Sequence, residues 1–221
     1  MWQQTKQLSL KKLTNSLLDL IFPRYCFLCK KLLETNENLF CKSCAEKLPR
    51  NEVGFLSKDE LFLPLKTPFL YEEPLKRAIK ALKYKESVHL IREMGRFFRK
   101  EFLPLPEEFV VCPVPLHPKR LAQRGFNQTL FLAREIFGQN AVKELLIRHK
   151  NTRPQAGLTR QARVKNIKGA FKVTDFALVE GKKILLFDDV LTTGATLAEC
   201  ARVLLKAGAA KIEVATLARR G

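Results

Sequence analysis

Apolar residues in this chain recur at two spacings, and the order in which those spacings alternate predicts the architecture. Leu8, Leu10, Leu13, Leu17, Leu18, Leu20 and Ile21 fall largely on one helical face up to Pro23, which predicts an amphipathic helix over residues 1–22. Such a helix docks on its own core, a partner or a membrane surface, and the pattern leaves these open. Residues 51–68 have mixed polarity with Pro64 and Pro68 and read as a linker. The main domain is expected over 69–221. It opens with a short strand near Phe69 to Tyr71, and Pro74 suits the first turn of a helix carrying Leu75, Ile79 and Leu82. A second helix is predicted from Val88 to Phe102, and Pro104 and Pro106 break the chain before a buried strand, Phe109 to Val114. A helix from Phe126 to Phe137, a strand from Val142 to Ile147, a strand from Lys183 to Phe187, a helix from Ala195 to Ala207 and a last strand from Ile212 to Leu217 follow. This alternation predicts an α/β fold, a parallel sheet flanked by helices. No apolar run approaches the ~20 residues of a membrane span.

Composition adds charge to this frame. The chain has 221 residues, 46% of them hydrophobic, enough for one full core and a small appendage. Forty Lys and Arg against twenty-two Asp and Glu give a formal net charge of +18, which fits a polyanionic partner or ligand and also fits a charge that serves solubility. Four of the six cysteines form two pairs, Cys26 with Cys29 and Cys41 with Cys44, eleven residues apart. That spacing suits one tetrahedral zinc with no open position, so residues 23–50 are expected to be a small zinc-binding module whose metal is structural. Small zinc modules also touch nucleic acids. Cys112 and Cys200 sit in apolar contexts and read as core residues. Asn15 and Asp19 interrupt any signal-peptide core, and with thiols kept for metal the expected compartment is the cytoplasm.

The run Ile184-Leu185-Leu186-Phe187-Asp188-Asp189-Val190-Leu191-Thr192-Thr193-Gly194-Ala195-Thr196 joins a buried strand, two acids and a glycine turn leading into a helix. Such a turn aims backbone N–H groups at one point, where the helix dipole also favours negative charge. Thr192, Thr193 and Thr196 add hydroxyls, and Gly194 permits close approach. The acids accept hydroxyl protons and attract magnesium, so a sugar phosphate with its metal answers both halves. The run resembles, at every position, the signature of the type I phosphoribosyltransferases, which bind 5-phosphoribosyl-1-pyrophosphate. The resemblance implies that Asp188 and Asp189 hold the ribose hydroxyls. It implies likewise that Thr192, Thr193, Gly194, Ala195 and Thr196 hold the 5-phosphate, with Val190 and Leu191 between, and that magnesium accompanies the donor.

Two basic segments extend the pattern. Pro115 to Gln128 places Lys119, Arg120, Arg124 and Gly125 before a helix start, a suitable cradle for pyrophosphate. Lys150 to Lys168 holds Arg153, Gln155, Arg160 and Arg163 without one acid and reads as a long mobile loop; Lys83 belongs to a further basic cluster with Lys76, Arg77, Lys80 and Lys85. Each segment follows a predicted strand of one sheet, so all are expected at one edge. Together with the cysteine pairs, Leu82-Lys83-Tyr84, Val114-Pro115-Leu116 and Arg124-Gly125-Phe126-Asn127-Gln128, the chain resembles the ComF family of competence-associated proteins. That resemblance implies a zinc module on a type I phosphoribosyltransferase-like domain and a role in DNA uptake during natural transformation, beside a DNA-translocating ATPase. Single-stranded DNA is then an expected partner. An active phosphoribosyltransferase of nucleobase or nucleotide metabolism with no DNA role is the alternative. Because the sequence stops soon after its last predicted strand, a hood over the site is expected from the N-terminal module and residues 51–68. Phe40, Tyr84 and Phe126 lie near basic residues as possible stacking platforms, although a place in the core suits each as well.

Overall fold

A computed structural model describes residues 23–51, 54–58, 60–82, 88–150 and 166–221. The expected helix over 1–22, Lys83, Tyr84, and Arg153, Gln155, Arg160 and Arg163 of the second basic loop lie outside these residues. Two units are present, the first ending at Leu48 and the second spanning Pro49–Gly221. Among the described residues no helix is long and apolar enough to cross a membrane.

The first unit is built around its cysteines. Cys26, Leu33, Leu39, Phe40, Cys41, Cys44 and Leu48 are buried, and Phe27 packs edge-on against Phe40 at 6.3 Å. One short helix, α1 (Lys42–Glu46), follows Cys41. Arg24 braces the intervening loop by donating to the carbonyls of Glu37 (2.9 Å) and Glu34 (3.3 Å).

The second unit holds a six-stranded sheet. Its strands are β1 (Gly54–Lys58), β2 (Leu61–Lys66), β3 (Phe69–Leu70), β4 (Phe109–Pro113), β7 (Lys183–Leu191) and β8 (Lys211–Arg219). The order is β1-β2-β8-β7-β4, with β3 also against β8; every pairing is parallel except β1 with β2. The helices are α2 (Leu75–Ala81), α3 (Val88–Phe102), α4 (Pro118–Arg124), α5 (Gln128–Phe137) and α6 (Ala195–Lys206).

β7 is central because Ile184 to Phe187 are apolar at every position and all buried, as a strand covered on both faces requires. On one face Ile184 and Leu186 join Cys200, Ala201 and Leu204 of α6. On the other, Phe187 meets Phe102 of α3 at 6.1 Å and Phe137 of α5 at 5.5 Å, both edge-to-face. Cys112 and Cys200 are fully buried in this core, as their apolar contexts predict.

The structure departs from the sequence expectation in three places. Residues 54–66 are not a linker: they form the β1–β2 hairpin and extend the main sheet, with Leu65 opposite Val214. Pro118–Arg124, expected as loop, is a helix capped by the His117 side chain, which accepts from the Lys119 N–H at 3.2 Å, and closed by Gly125 at φ +81°. The strand expected over Val142 to Ile147 is shorter and elsewhere. Val142 makes one parallel bridge to Val111, then the chain turns and β5 (Leu146–Arg148) pairs antiparallel with β6 (Phe171–Val173) in a separate two-stranded sheet. Leu146 and Arg148 point inward there while Ile147 is exposed, which the apolar run Leu145 to Ile147 conceals.

Candidate phosphate-sugar site

A cavity of about 680 Å³ opens at the carboxyl ends of β7 and β8, the edge where parallel α/β sheets place ligands. Its floor is the acid pair. β7 runs past Phe187 to Leu191, so Asp188 and Asp189 are held by the strand itself, with Asp188 opposite Thr216 of β8. Asp188 accepts from the Asp189 backbone N–H at 2.9 Å and from the Thr129 hydroxyl at 3.5 Å. Asp189 accepts from Gln128 Nε2 at 3.3 Å, and Gln128 in turn accepts from Arg124 at 3.0 Å. Burial, and then the neighbouring charge of Asp189, push the Asp188 carboxyl well above the usual carboxylate range, against the Asp189 N–H, Thr129 and Arg148. A pair held this way favours an incoming cation or hydroxyl donors.

Beyond Leu191 the chain turns through Thr192, Thr193 and Gly194 into α6. Gly194 is left-handed at φ +71° and leads α6 without a side-chain cap, a glycine-led helix start of the kind that receives phosphate. A side chain at Gly194 would also meet Leu56 of β1, whose Cδ1 lies 2.5 Å from the position of a Cβ. The hairpin therefore backs the turn. Every residue from Asp188 to Thr196 lines the cavity.

Across from the turn stands a cationic wall. Arg120 and Arg124 of α4 line the cavity, as does Arg148 at the end of β5. Burial lowers the proton affinity of Arg120, and the charge of Arg124 lowers it further; Arg148 is affected in the same way by burial and by Arg120. Three guanidinium groups crowded in this manner favour an anion between them. The wall is positioned by Asn127, which donates to the Val114 carbonyl at 3.2 Å and accepts from the Thr129 N–H at 3.1 Å.

The sequence-predicted residues divide accordingly. Asp188, Asp189, Val190, Leu191, Thr192, Thr193, Gly194, Ala195, Thr196, Arg120 and Arg124 share one cavity, whereas Lys119 and Gly125 sit on α4 and its cap and do not line it. Sequence reasoning missed Arg148, Thr129, Tyr71 and Arg220, named Gln128 only as the end of the basic segment and its motif, and assigned no site to Lys76 and Lys80; all of these line the cavity. The basic spacing of Lys76 and Lys80 on one helix was the available signal. Of the platform candidates, Phe40 is buried in the first unit and Phe126 is half-buried against Phe131.

In the first unit the Sγ atoms of Cys26, Cys29, Cys41 and Cys44 all lie within 4.8 Å of one another. Two thiols are tuned toward thiolate. The Ser43 hydroxyl and the Cys44 N–H bring Cys41 down to about 6, and although burial acts against it, backbone N–H donors from Cys41, Cys29 and Leu28 bring Cys26 down as well. Burial pushes Cys44 up to about 12 when no metal is near. Four soft donors at this separation, with no carboxylate or histidine among them, fit a closed structural zinc.

Comparison with known proteins matches residues 17–53 to the double zinc ribbon domain and residues 122–221 to the phosphoribosyl transferase domain. DNA utilization protein YhgH of Escherichia coli K12 is 30% identical over 208 residues, covering 88% of this chain and 89% of that protein. Competence protein F of Haemophilus influenzae is 33% identical over 67% of this chain and 69% of its own length, and competence protein ComFC of Bacillus subtilis is 28% identical over 89% and 84%. A zinc ribbon followed by a phosphoribosyltransferase-type domain, with relatives that match most of its length, makes this chain a member of the ComF family.

Proposed function

We propose that the cavity binds phosphoribosyl pyrophosphate with magnesium and that the protein handles single-stranded DNA in DNA uptake. The observation that carries the first half is the placement of Asp188 and Asp189 between an uncapped helix start at Gly194 and the Arg120, Arg124 and Arg148 wall. A phosphate at the turn, a ribose diol on the acids and a pyrophosphate on the guanidinium groups fill these three regions in the order the donor carries them. Magnesium, when bound, neutralises part of the pyrophosphate charge and polarises its oxygens. The acid pair fits it, because two adjacent carboxylates, one of them held above its ordinary range, are hard oxygen donors short of positive charge.

The chain's own residues then orient and hold. Asp188 and Asp189 fix the sugar, Thr192 to Thr196 anchor its phosphate, and Arg120 and Arg124 stabilise negative charge that would grow on pyrophosphate if the bond to C1 breaks. The DNA half is supported by the +18 net charge and by relatives named for DNA utilization and competence. A DNA-translocating ATPase is the partner such a role implies.

Isothermal titration of the donor with magnesium tests the first half. Saturable binding by the natural chain, weakened tenfold or more by Asp188→Asn with Asp189→Asn, is expected. No binding by the natural chain refutes it. Single-stranded DNA affinity should fall steeply with salt, and a flat salt response would remove the electrostatic case.

A further inference from the structure

We infer that the cavity wall formed by Tyr71, Lys76, Lys80 and Arg220 is a second subsite, one that binds the phosphate of a nucleoside phosphate; this rests on the donor reading above. The donor's charges already have places on other walls, the 5-phosphate at Thr192 to Thr196 and the pyrophosphate at Arg120 and Arg124. Three further cations line the same cavity. Lys76 and Lys80 are four residues apart on α2 and so share one face. Arg220 directly follows β8.

Their positions are fixed through the sheet. The Tyr71 N–H donates to the Arg219 carbonyl at 2.7 Å, and the Arg220 N–H donates to the Leu191 carbonyl at 2.8 Å. These bonds seat the start of α2 and the end of β8 beside the last residue of β7. Glu73 lies 4.0 Å from Lys76 Nζ and is largely exposed, a contact of little strength.

Charge then selects the ligand. A neutral base placed against Lys76, Lys80 and Arg220 would strip water from three cations and return only hydrogen bonds from neutral acceptors, whereas a phosphate returns charge and stronger, charge-assisted hydrogen bonds. Tyr71 supplies an aromatic surface in the same wall, and such surfaces stack on bases. Burial, followed by the charge of Asp189, pushes its hydroxyl up, which keeps the ring neutral beside the acids. Phosphate recognition with a stacking surface describes a nucleoside phosphate, either free or at the end of a strand.

The test is titration of the full chain with deoxyadenosine, deoxyadenosine 5′-monophosphate, and a short single strand with and without a 5′-phosphate. The same set is repeated on Lys76→Ala with Lys80→Ala, and the donor with magnesium is titrated into both proteins. The monophosphate is expected to bind about tenfold or more tightly than the nucleoside, and the double variant to lose that advantage while keeping donor affinity within about threefold. A 5′-phosphate advantage on the strand identifies a strand end as the source, and an advantage confined to the mononucleotide identifies a free nucleotide. Equal affinity for nucleoside and monophosphate overturns the inference, as does a parallel loss of donor affinity, which would give this wall to the donor. Failure of the donor reading shows separately, as absent donor binding in the natural chain. Unchanged melting temperature of the variant confirms that folding is intact.

Discussion

Gly194→Ala joins two steric costs that can be measured apart. At φ +71° an L-residue costs roughly 1–2 kcal/mol. The new methyl would also lie 2.5 Å from Leu56 Cδ1, and Leu56 is only 6% exposed, so it has little open space to retreat into; Leu191 Cδ1 at 3.6 Å is in ordinary contact. Overpacking of that kind adds roughly 1–3 kcal/mol, for a total of about 2–5 kcal/mol. In a unit of this size the melting temperature falls by about 2–4 °C per kcal/mol, so a drop of about 4–20 °C is expected. Leu56→Ala alone costs about 2–5 kcal/mol by leaving a cavity. In that background the clash is gone and Gly194→Ala costs only the backbone part, giving a favourable coupling of about 1–3 kcal/mol. Thermal and urea unfolding of the four proteins measures it. Additivity within about 0.5 kcal/mol would refute the claim that the hairpin buttresses the turn.

Three further outcomes follow from the same structure. Metal analysis should find one zinc per chain, and Cys26→Ser with Cys41→Ser should abolish it; no zinc in the natural chain would overturn the ribbon assignment. Asp188→Asn should raise the melting temperature at neutral pH: a carboxyl whose folded pKa is raised loses stability as pH climbs from the ordinary carboxylate range toward the folded value, and an amide does not. That advantage should vanish at acid pH below the ordinary range, where Asp188 is neutral in both states, and an advantage independent of pH would refute the charge argument. Thr129→Val, which removes the hydroxyl donated to Asp188, should raise that pKa further and move the pH dependence upward, read by the same melts.

What the sequence shows depends on how local the determinant is. β7, β8, α3 and α6 were legible because continuous or periodic apolar runs specify a buried strand or a helical face over ten or so neighbouring residues. The β1–β2 hairpin was not, although Leu61, Leu63 and Leu65 alternate. Pro64 reads as a breaker, and Phe55 and Phe62 put apolar side chains on the outer face, where they stack at 4.2 Å and stay more than half exposed. Pro64 lies opposite Phe55 at a point where β2 has not yet joined β8, whose ladder begins at Leu65. α4 buries none of its residues and so shows no apolar stripe; its only signals were the cap at His117, Pro118 and Gly125.

The cavity divides along the same line. Its donor side comes mainly from one contiguous segment, Asp188 to Thr196, whose strand, turn and helix place acids and amides by local geometry, so residue order reveals it. The wall of Tyr71, Lys76, Lys80 and Arg220 comes from the residue after β3, a face of α2 and the residue after β8, separated by up to about 150 positions and gathered by parallel pairing. β8 does the gathering. It pairs with β2, β3 and β7 at once, so Tyr71 is bonded to Arg219 and Arg220 to Leu191, and Arg220 ends up one bond from the strand that carries the acids. A substitution that shifts the end of β8 should therefore change both sides of the cavity together, and one in α2 only the second subsite. Arg220→Pro, which removes the N–H donated to Leu191 without touching a donor-binding side chain, separates the two cases: it should weaken donor binding, while Lys80→Ala should not.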